Sequence, residues 1–284
     1  MSLLIRKEEK KVLEFLKSLL FGIVEGITEW LPVSSTGHMI LLDEFVQLSM
    51  SEAFKEMYIV VIQLGAILAV VLLFWNQLWP FTTPEKGWIK KDIFSMWIKI
   101  VVACVPAVIV ELAFGDWLEA TFYNYITVSV MLILFGILFI IVENWNKNRE
   151  SKINSIAGIT YQLAFMIGVF QLIAAVFPGT SRSGATIIGG LVLGLSRTIA
   201  AEFTFYLAVP VMIGASFIKL LKFGFHFTPM EAGVLAVGMI SSFLVSVFVI
   251  RFLMGYIKKH DFKVFGWYRI VLGILVLACF AFFL

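Results

Sequence analysis

Two short polar segments interrupt a chain that is otherwise rich in hydrocarbon side chains, and both carry groups suited to an anionic ligand. The first runs Glu25-Gly-Ile-Thr-Glu29-Trp-Leu-Pro32-Val-Ser34-Ser35-Thr36-Gly37-His38, and the second runs Pro178-Gly-Thr-Ser181-Arg182-Ser183-Gly184-Ala-Thr186. Laying Ser34 to Gly37 over Ser181 to Gly184 gives an offset of 147 residues, about half of the 284. Together they supply carboxylates, a histidine, hydroxyls and an arginine, the ingredients of a reactive site for a charged head group.

Glu25 and Glu29 are four apart and share one face of a helix. A carboxylate at membrane depth costs on the order of 2.5–3.5 kcal/mol by insertion scales, so the pair is expected to line a wet cavity. There it can hold a hard divalent cation such as Mg²⁺, or take protons. An interfacial helix with both acids facing headgroup water is the other reading. Pro32 should end this helix, with Ser34 or Ser35 capping the next; Pro178-Gly179 and Ser181 or Ser183 repeat the plan. Free N–H groups and the positive end of a helix dipole make an anion site, to which Thr36, Gly37, Ser183, Gly184 and Thr186 add donors or close approach. The same residues can also serve only as caps, and Gly22, Gly26, Gly190 and Gly194 stand at spacings that permit close helix packing.

His38 lies near the start of its helix, where the dipole disfavours an added positive charge, and a neutral imidazole can accept a proton from a serine hydroxyl. Arg182 stays charged and grips phosphate oxygens with two parallel donors; without an anion, its expected partner is Glu25 or Glu29 across the hairpin tips. Gln63 and Glu202 are further candidates to line the cavity, or ordinary interhelical hydrogen-bonding residues. Trp75, Trp79, Trp267 and Tyr268 read as interfacial anchors.

These groups must be positioned by membrane helices. With 61% apolar residues the composition lies outside that of soluble domains, which is about 45–50% apolar. Six spanning helices are predicted near 58–76, 94–114, 125–143, 203–222, 230–254 and 265–284, each close to the roughly 20 residues that cross a hydrocarbon core. The stretches 11–31 and 161–177 each run into a proline and a turn before a second short apolar run, 36–48 and 185–195. They read as re-entrant helical hairpins, since irregular backbone at membrane depth needs protein or a wet cavity to satisfy it. The fold class is therefore an all-α polytopic membrane protein, one domain over 1–284, with repeat one about 11–143 and repeat two about 161–284. Each half carries a hairpin and three spans, an odd number, so the second half inserts upside down and the hairpin tips meet inside.

The net charge of +3 is spread through loops and forms no stripe for nucleic acid. Cys104 and Cys279 both lie in predicted spans, which leaves no disulfide framework or zinc motif. The N-terminus lacks the order of a removable signal peptide, and its charges read as a solvated helix start. Basic residues favour one set of loops as cytoplasmic: Lys86, Lys90 and Lys91; Lys147, Arg149, Lys152 and Arg197; Lys258, Lys259 and Lys263. The opposite side carries Arg6, Lys7, Lys10 and Lys11 of the N-terminus, Lys55, a loop with Asp116 and Glu119 but no base, and Lys222, so the count places both termini outside.

At the two motifs the chain resembles the undecaprenyl-pyrophosphate phosphatase family of bacteria, long associated with bacitracin resistance. Val61-Ile-Gln-Leu-Gly65, Ala201-Glu-Phe203 and Leu207-Ala-Val-Pro210 carry the likeness further, in order and over nearly the whole chain. The resemblance implies removal of the terminal phosphate from a polyprenyl pyrophosphate lipid, recycling the carrier for cell-wall synthesis. It implies Mg²⁺ or Ca²⁺ dependence, a bacterial inner-membrane location with the site opening to the outer face, contact with membrane lipids, and a homodimer. On that reading Glu25 and Glu29 hold the metal, Ser35 attacks phosphorus or water attacks directly, His38 shuttles the proton, and Arg182 offsets charge. The residues alone also allow a secondary transporter or flippase of an anion or lipid phosphate built on the same broken helices.

Overall fold

The computed structural model describes residues 2–83 and 88–282. Lys86 of the expected basic loop and residues 283–284 of the last expected span lie outside them. Among the described residues the secondary structure is helical, apart from the single bridging pairs Phe81 with Ile89 and Ile153 with Leu195. In chain order the helices are α1 (Ser2–Thr28), α2 (Ser35–Phe45), α3 (Glu52–Val61), α4 (Gln63–Leu73), α5 (Trp75–Leu78), α6 (Lys91–Phe122) and α7 (Tyr125–Asn146). After a 3₁₀ turn at Ile156–Gly158 come α8 (Tyr161–Val176), α9 (Arg182–Val192), α10 (Arg197–Phe223), α11 (Pro229–Tyr256) and α12 (Lys263–Phe282).

Among the described residues six segments are long and apolar enough to cross a bilayer: Glu52–Leu73, Lys91–Phe122, Tyr125–Asn146, Arg197–Phe223, Pro229–Tyr256 and Lys263–Ala281. Their outward faces carry bare hydrocarbon, such as Leu112 and Phe248 at 75% and 70% exposure, which suits lipid rather than water. The starts are set by local chemistry. Ser51, Asn124 and Ser196 accept an N–H from the first turn of α3, α7 and α10, and Thr228-Pro229 with Glu231 forms a full capping box for α11.

Several expected boundaries shift; α1 starts at Ser2 and α10 at Arg197, ahead of the expected 11 and 203. The first span starts at Glu52 and tightens at Ile62, where the Gly65 N–H bonds back only three residues to the Ile62 carbonyl. The second runs to Phe122, so Asp116 and Glu119 lie on the last turns of α6 rather than in a loop, near Lys222 and Lys219 of α10. The second arm of the later break starts at Arg182, three residues before the expected 185. Cys104 and Cys279 lie in span-length helices, as expected, and both are free.

Each half contains a helix, a break, a short helix and three span-length segments, and the halves pack crosswise. Gly22 of α1 lies against Gly238 and Ser241 of α11, and Gly168 of α8 lies against the Ala103 backbone of α6. A methyl group at either glycine would collide with backbone across the crossing, so the small residues are required for this approach. Between these packed arms the two breaks, 29–34 and 177–181, face one another.

Candidate active site

The two breaks share one backbone device. Ser34 and Ser181 both have left-handed backbones, with φ of 72° and 68°, a conformation that serine adopts only at a cost. Each accepts an N–H three residues on, from Gly37 at 3.4 Å and from Gly184 at 3.1 Å, and so caps α2 and α9. These are the positions that the 147-residue offset superposes. The second break needs a glycine as well: Gly179, with φ of 90°, sits against the Val128 backbone.

The tips meet at Glu29. Ser35 donates its hydroxyl to Glu29 Oε2 at 2.7 Å, and Arg182 donates from Nη2 to Glu29 Oε1 at 3.1 Å. Ser183 donates to the Glu29 carbonyl at 3.2 Å, and Arg182 Nη1 reaches the Thr204 carbonyl of α10 at 3.1 Å. Glu29, Ser35, Arg182 and Ser183, drawn from both halves, thus form one cluster. Glu29 is nearly buried, so its pairing with the guanidinium compensates two charges that would be costly apart.

Glu25 stands one turn earlier on α1, fully buried, and neither carboxylate oxygen has a partner among the described residues. A carboxyl group so placed must either take a proton or have a cation beside it, and its two free oxygens suit a hard divalent ion. No trio of His, Cys, Asp or Glu that could hold a metal occurs among the described residues. Glu25 and Glu29 would supply carboxylate oxygens to such an ion, and the rest would come from water or a ligand, as is usual for Mg²⁺.

His38 is not joined to Ser35. Its Nδ1 lies 2.7 Å from the Ser34 carbonyl, which can only accept, so Nδ1 carries the proton; Nε2 then accepts from the Tyr268 hydroxyl at 2.7 Å. The two rings stack, with planes 7° apart. Tyr268, expected as an interfacial anchor, is thus the partner of His38, while Trp267 beside it is 60% exposed.

A second unforeseen residue is Arg269. Fully buried on α12, it donates from Nη1 to the Pro32 carbonyl at 3.2 Å and from Nη2 to the Gly179 and Thr180 carbonyls at 2.9 and 2.8 Å. One guanidinium thereby satisfies carbonyls that proline, turn and strained serine leave without helical partners in both breaks.

The other candidates are less central. Ser181 caps α9 and shares a hydrogen bond with Ser183 at 3.1 Å. The Thr186 hydroxyl is occupied by the Arg182 and Ser183 carbonyls and by Thr204, so it braces α9 against α10 instead of facing the tips. Gly37 packs against Leu132 and Gly184 against Arg269, both too close for a larger residue to enter freely. Thr36, second in α2, is half-buried, and no hydrogen bond among the described residues ties it, Gln63 or Glu202 to the cluster.

Residues 18–275 match the sequence family described as bacitracin resistance protein BacA. The chain is 63% identical to the undecaprenyl-diphosphatase of Desulfitobacterium hafniense, over 95% of this chain and 97% of that one. It is 62% identical to undecaprenyl-diphosphatase 1 of Clostridium acetobutylicum, over 94% and 98%, and 62% identical to the undecaprenyl-diphosphatase of Enterococcus faecalis, over 93% and 96%.

Proposed function

The chain belongs to the bacitracin resistance protein BacA family, and from that premise we propose that it is an undecaprenyl-diphosphatase, a multi-pass bacterial membrane enzyme. It hydrolyses undecaprenyl pyrophosphate to the monophosphate and inorganic phosphate, returning the lipid carrier to cell-wall synthesis. The observation that carries the mechanism is the Ser35–Glu29–Arg182 cluster, in which a hydroxyl, a base and a guanidinium from opposite halves converge.

The substrate's terminal phosphate enters between the hairpin tips, and Arg182 turns from Glu29 to its oxygens with a bidentate fork. That exchange frees the Glu29 carboxylate to take the Ser35 proton. Ser35 Oγ bonds to the terminal phosphorus while the bridging P–O bond breaks, and the electron pair leaves on the lipid monophosphate. Water then hydrolyses the phosphoserine, releasing inorganic phosphate and restoring the serine. His38 exchanges protons with solvent through Nε2 and the half-exposed Tyr268 hydroxyl. Glu25, with its orphaned oxygens, would hold Mg²⁺ or Ca²⁺ alongside Glu29, and that ion would neutralise part of the diphosphate charge. Phosphoryl transfer asks mainly for positioning and electrostatics, which these groups supply.

Both breaks are read as tips of re-entrant hairpins that enter from opposite faces, with the site opening outward and the basic loops cytoplasmic. Phosphate release from undecaprenyl pyrophosphate by the detergent-purified chain tests the function, because a transporter or flippase without hydrolytic chemistry would release none.

A further inference from the structure

At the end of the bundle where α7 stops, α10 starts and α11 stops, an open cavity of about 390 Å³ is lined by residues of 145–152, 191–198 and 257–258. It lies at the C-terminal end of α9, while Arg182 opens that helix; 11 residues at about 1.5 Å each put it roughly 16 Å from the reaction site. Its wall carries Arg149, Lys152, Arg197 and Lys258 against one carboxylate, Glu150. Arg197 is neutralised, because the buried Glu143 accepts from its Nε at 2.9 Å and from Nη2, and also from the Phe262 N–H at 3.0 Å. That network locks one cationic wall in place. Arg149, Lys152 and Lys258 have no ion-pair partner among the described residues.

Two features separate this cavity from a merely basic loop. The need for positive charge on one membrane face explains lysines and arginines here, but not a walled space with a locked arginine. The Arg149 guanidinium also lies 3.6 Å from the centre of the Trp145 ring, which fixes its position. Trp145 is an exposed indole at the end of a spanning helix, a type of residue that sits at headgroup level. The cavity therefore opens at the depth where lipid phosphates lie.

We propose that this cavity binds a phosphate group, supplied by the headgroup of an anionic membrane lipid, as a second anion site separate from the reaction site. The test uses the purified full-length chain carrying Arg182→Ala, so that the reaction site contributes neither binding nor hydrolysis. Native mass spectrometry would follow retention of dioctanoyl phosphatidic acid, dioctanoylglycerol and inorganic phosphate. Phosphatidic acid should be retained and dioctanoylglycerol should not. Lys152→Gln or Lys258→Gln should each weaken retention about fivefold, and Arg149→Gln/Lys152→Gln/Lys258→Gln together about 100-fold. Lys147→Gln and Lys259→Gln, outside the wall, should change little. With Arg182 intact, the triple variant should release phosphate from undecaprenyl pyrophosphate at the parent rate, which also reports that it folds. Retention of inorganic phosphate that depends on the same three residues would support the site with free phosphate as its occupant. Equal retention by parent and triple variant, equal losses in the two control variants, or retention of dioctanoylglycerol as strong as that of phosphatidic acid would each overturn the proposal.

Discussion

Replacing Arg269 with glutamine should loosen the two breaks from one another while leaving every reacting group in the chain. The guanidinium makes three hydrogen bonds, to carbonyls of Pro32, Gly179 and Thr180, at 2.8 to 3.2 Å in a fully buried setting. Leaving a buried acceptor unpaired costs about 1–3 kcal/mol, so three amount to roughly 3–9 kcal/mol. Removing the buried charge returns several kcal/mol of desolvation, and glutamine can still serve one carbonyl. The net loss of stability should be about 2–4 kcal/mol. Turnover should fall further than stability requires, since a shift of about 1 Å in a catalytic group can cost 100-fold. Arg269→Lys should recover part of the stability but little of the rate, because one ammonium cannot span both breaks as the planar fork does. Unfolding in detergent by denaturant and phosphate release at a temperature where the variant is folded would give the two quantities. Wild-type values of both for Arg269→Gln would refute the idea that this residue staples the breaks together.

Glu25→Gln should reduce turnover at least 100-fold without loss of folded protein, and chelation of divalent ions should abolish activity that Mg²⁺ or Ca²⁺ restores; full activity after thorough chelation would remove the metal role. Tyr268→Phe keeps the ring stacked on His38 but deletes the hydrogen bond to Nε2, so a five- to thirtyfold drop in phosphate release is expected, about 1–2 kcal/mol, with little change in unfolding. An unaltered rate would leave Tyr268 as a surface anchor. In a background lacking Cys104 and Cys279, cysteines placed at Asp116 and Asn148 should react with an impermeant thiol reagent from opposite faces, Asp116 from outside; labelling of both in intact cells would overturn the orientation.

The helices and the two breaks were legible because their signals are local: apolar runs of span length, then proline, then a serine cap with glycine three residues on. The likeness of the two breaks was legible for the same reason, and Ser34 and Ser181, which the 147-residue offset superposes, share a left-handed backbone. The overextended reach of α6 was missed because Gly115 and Asp116 look like a stop, yet a helix packed on neighbours tolerates both. Arg269 and Tyr268 were hidden by their setting. An arginine and a tyrosine beside Trp267 in an apolar run have the composition of an interfacial belt, and their partners lie 89 to 237 residues away. The pairing of Ser35 with Glu29 rather than His38 was also invisible, since spacing along α2 favours the i,i+3 neighbour. Geometry at the break turns the first residue of α2 back toward the end of α1, and His38 is held instead by the cap carbonyl and by α12.

The claim on which the account depends is that Ser35 from one half and Arg182 from the other act in a single step, and a double-mutant cycle on phosphate release measures it. Arg182→Ala and Ser35→Ala should each cut turnover by about 10³-fold or more, on the scale of an arginine that stabilises phosphoryl transfer. Because residues that act as a unit are not additive, the double variant should be scarcely slower than either single one. Multiplicative losses in the double variant, or near-normal phosphate release by Ser35→Ala, would contradict the account.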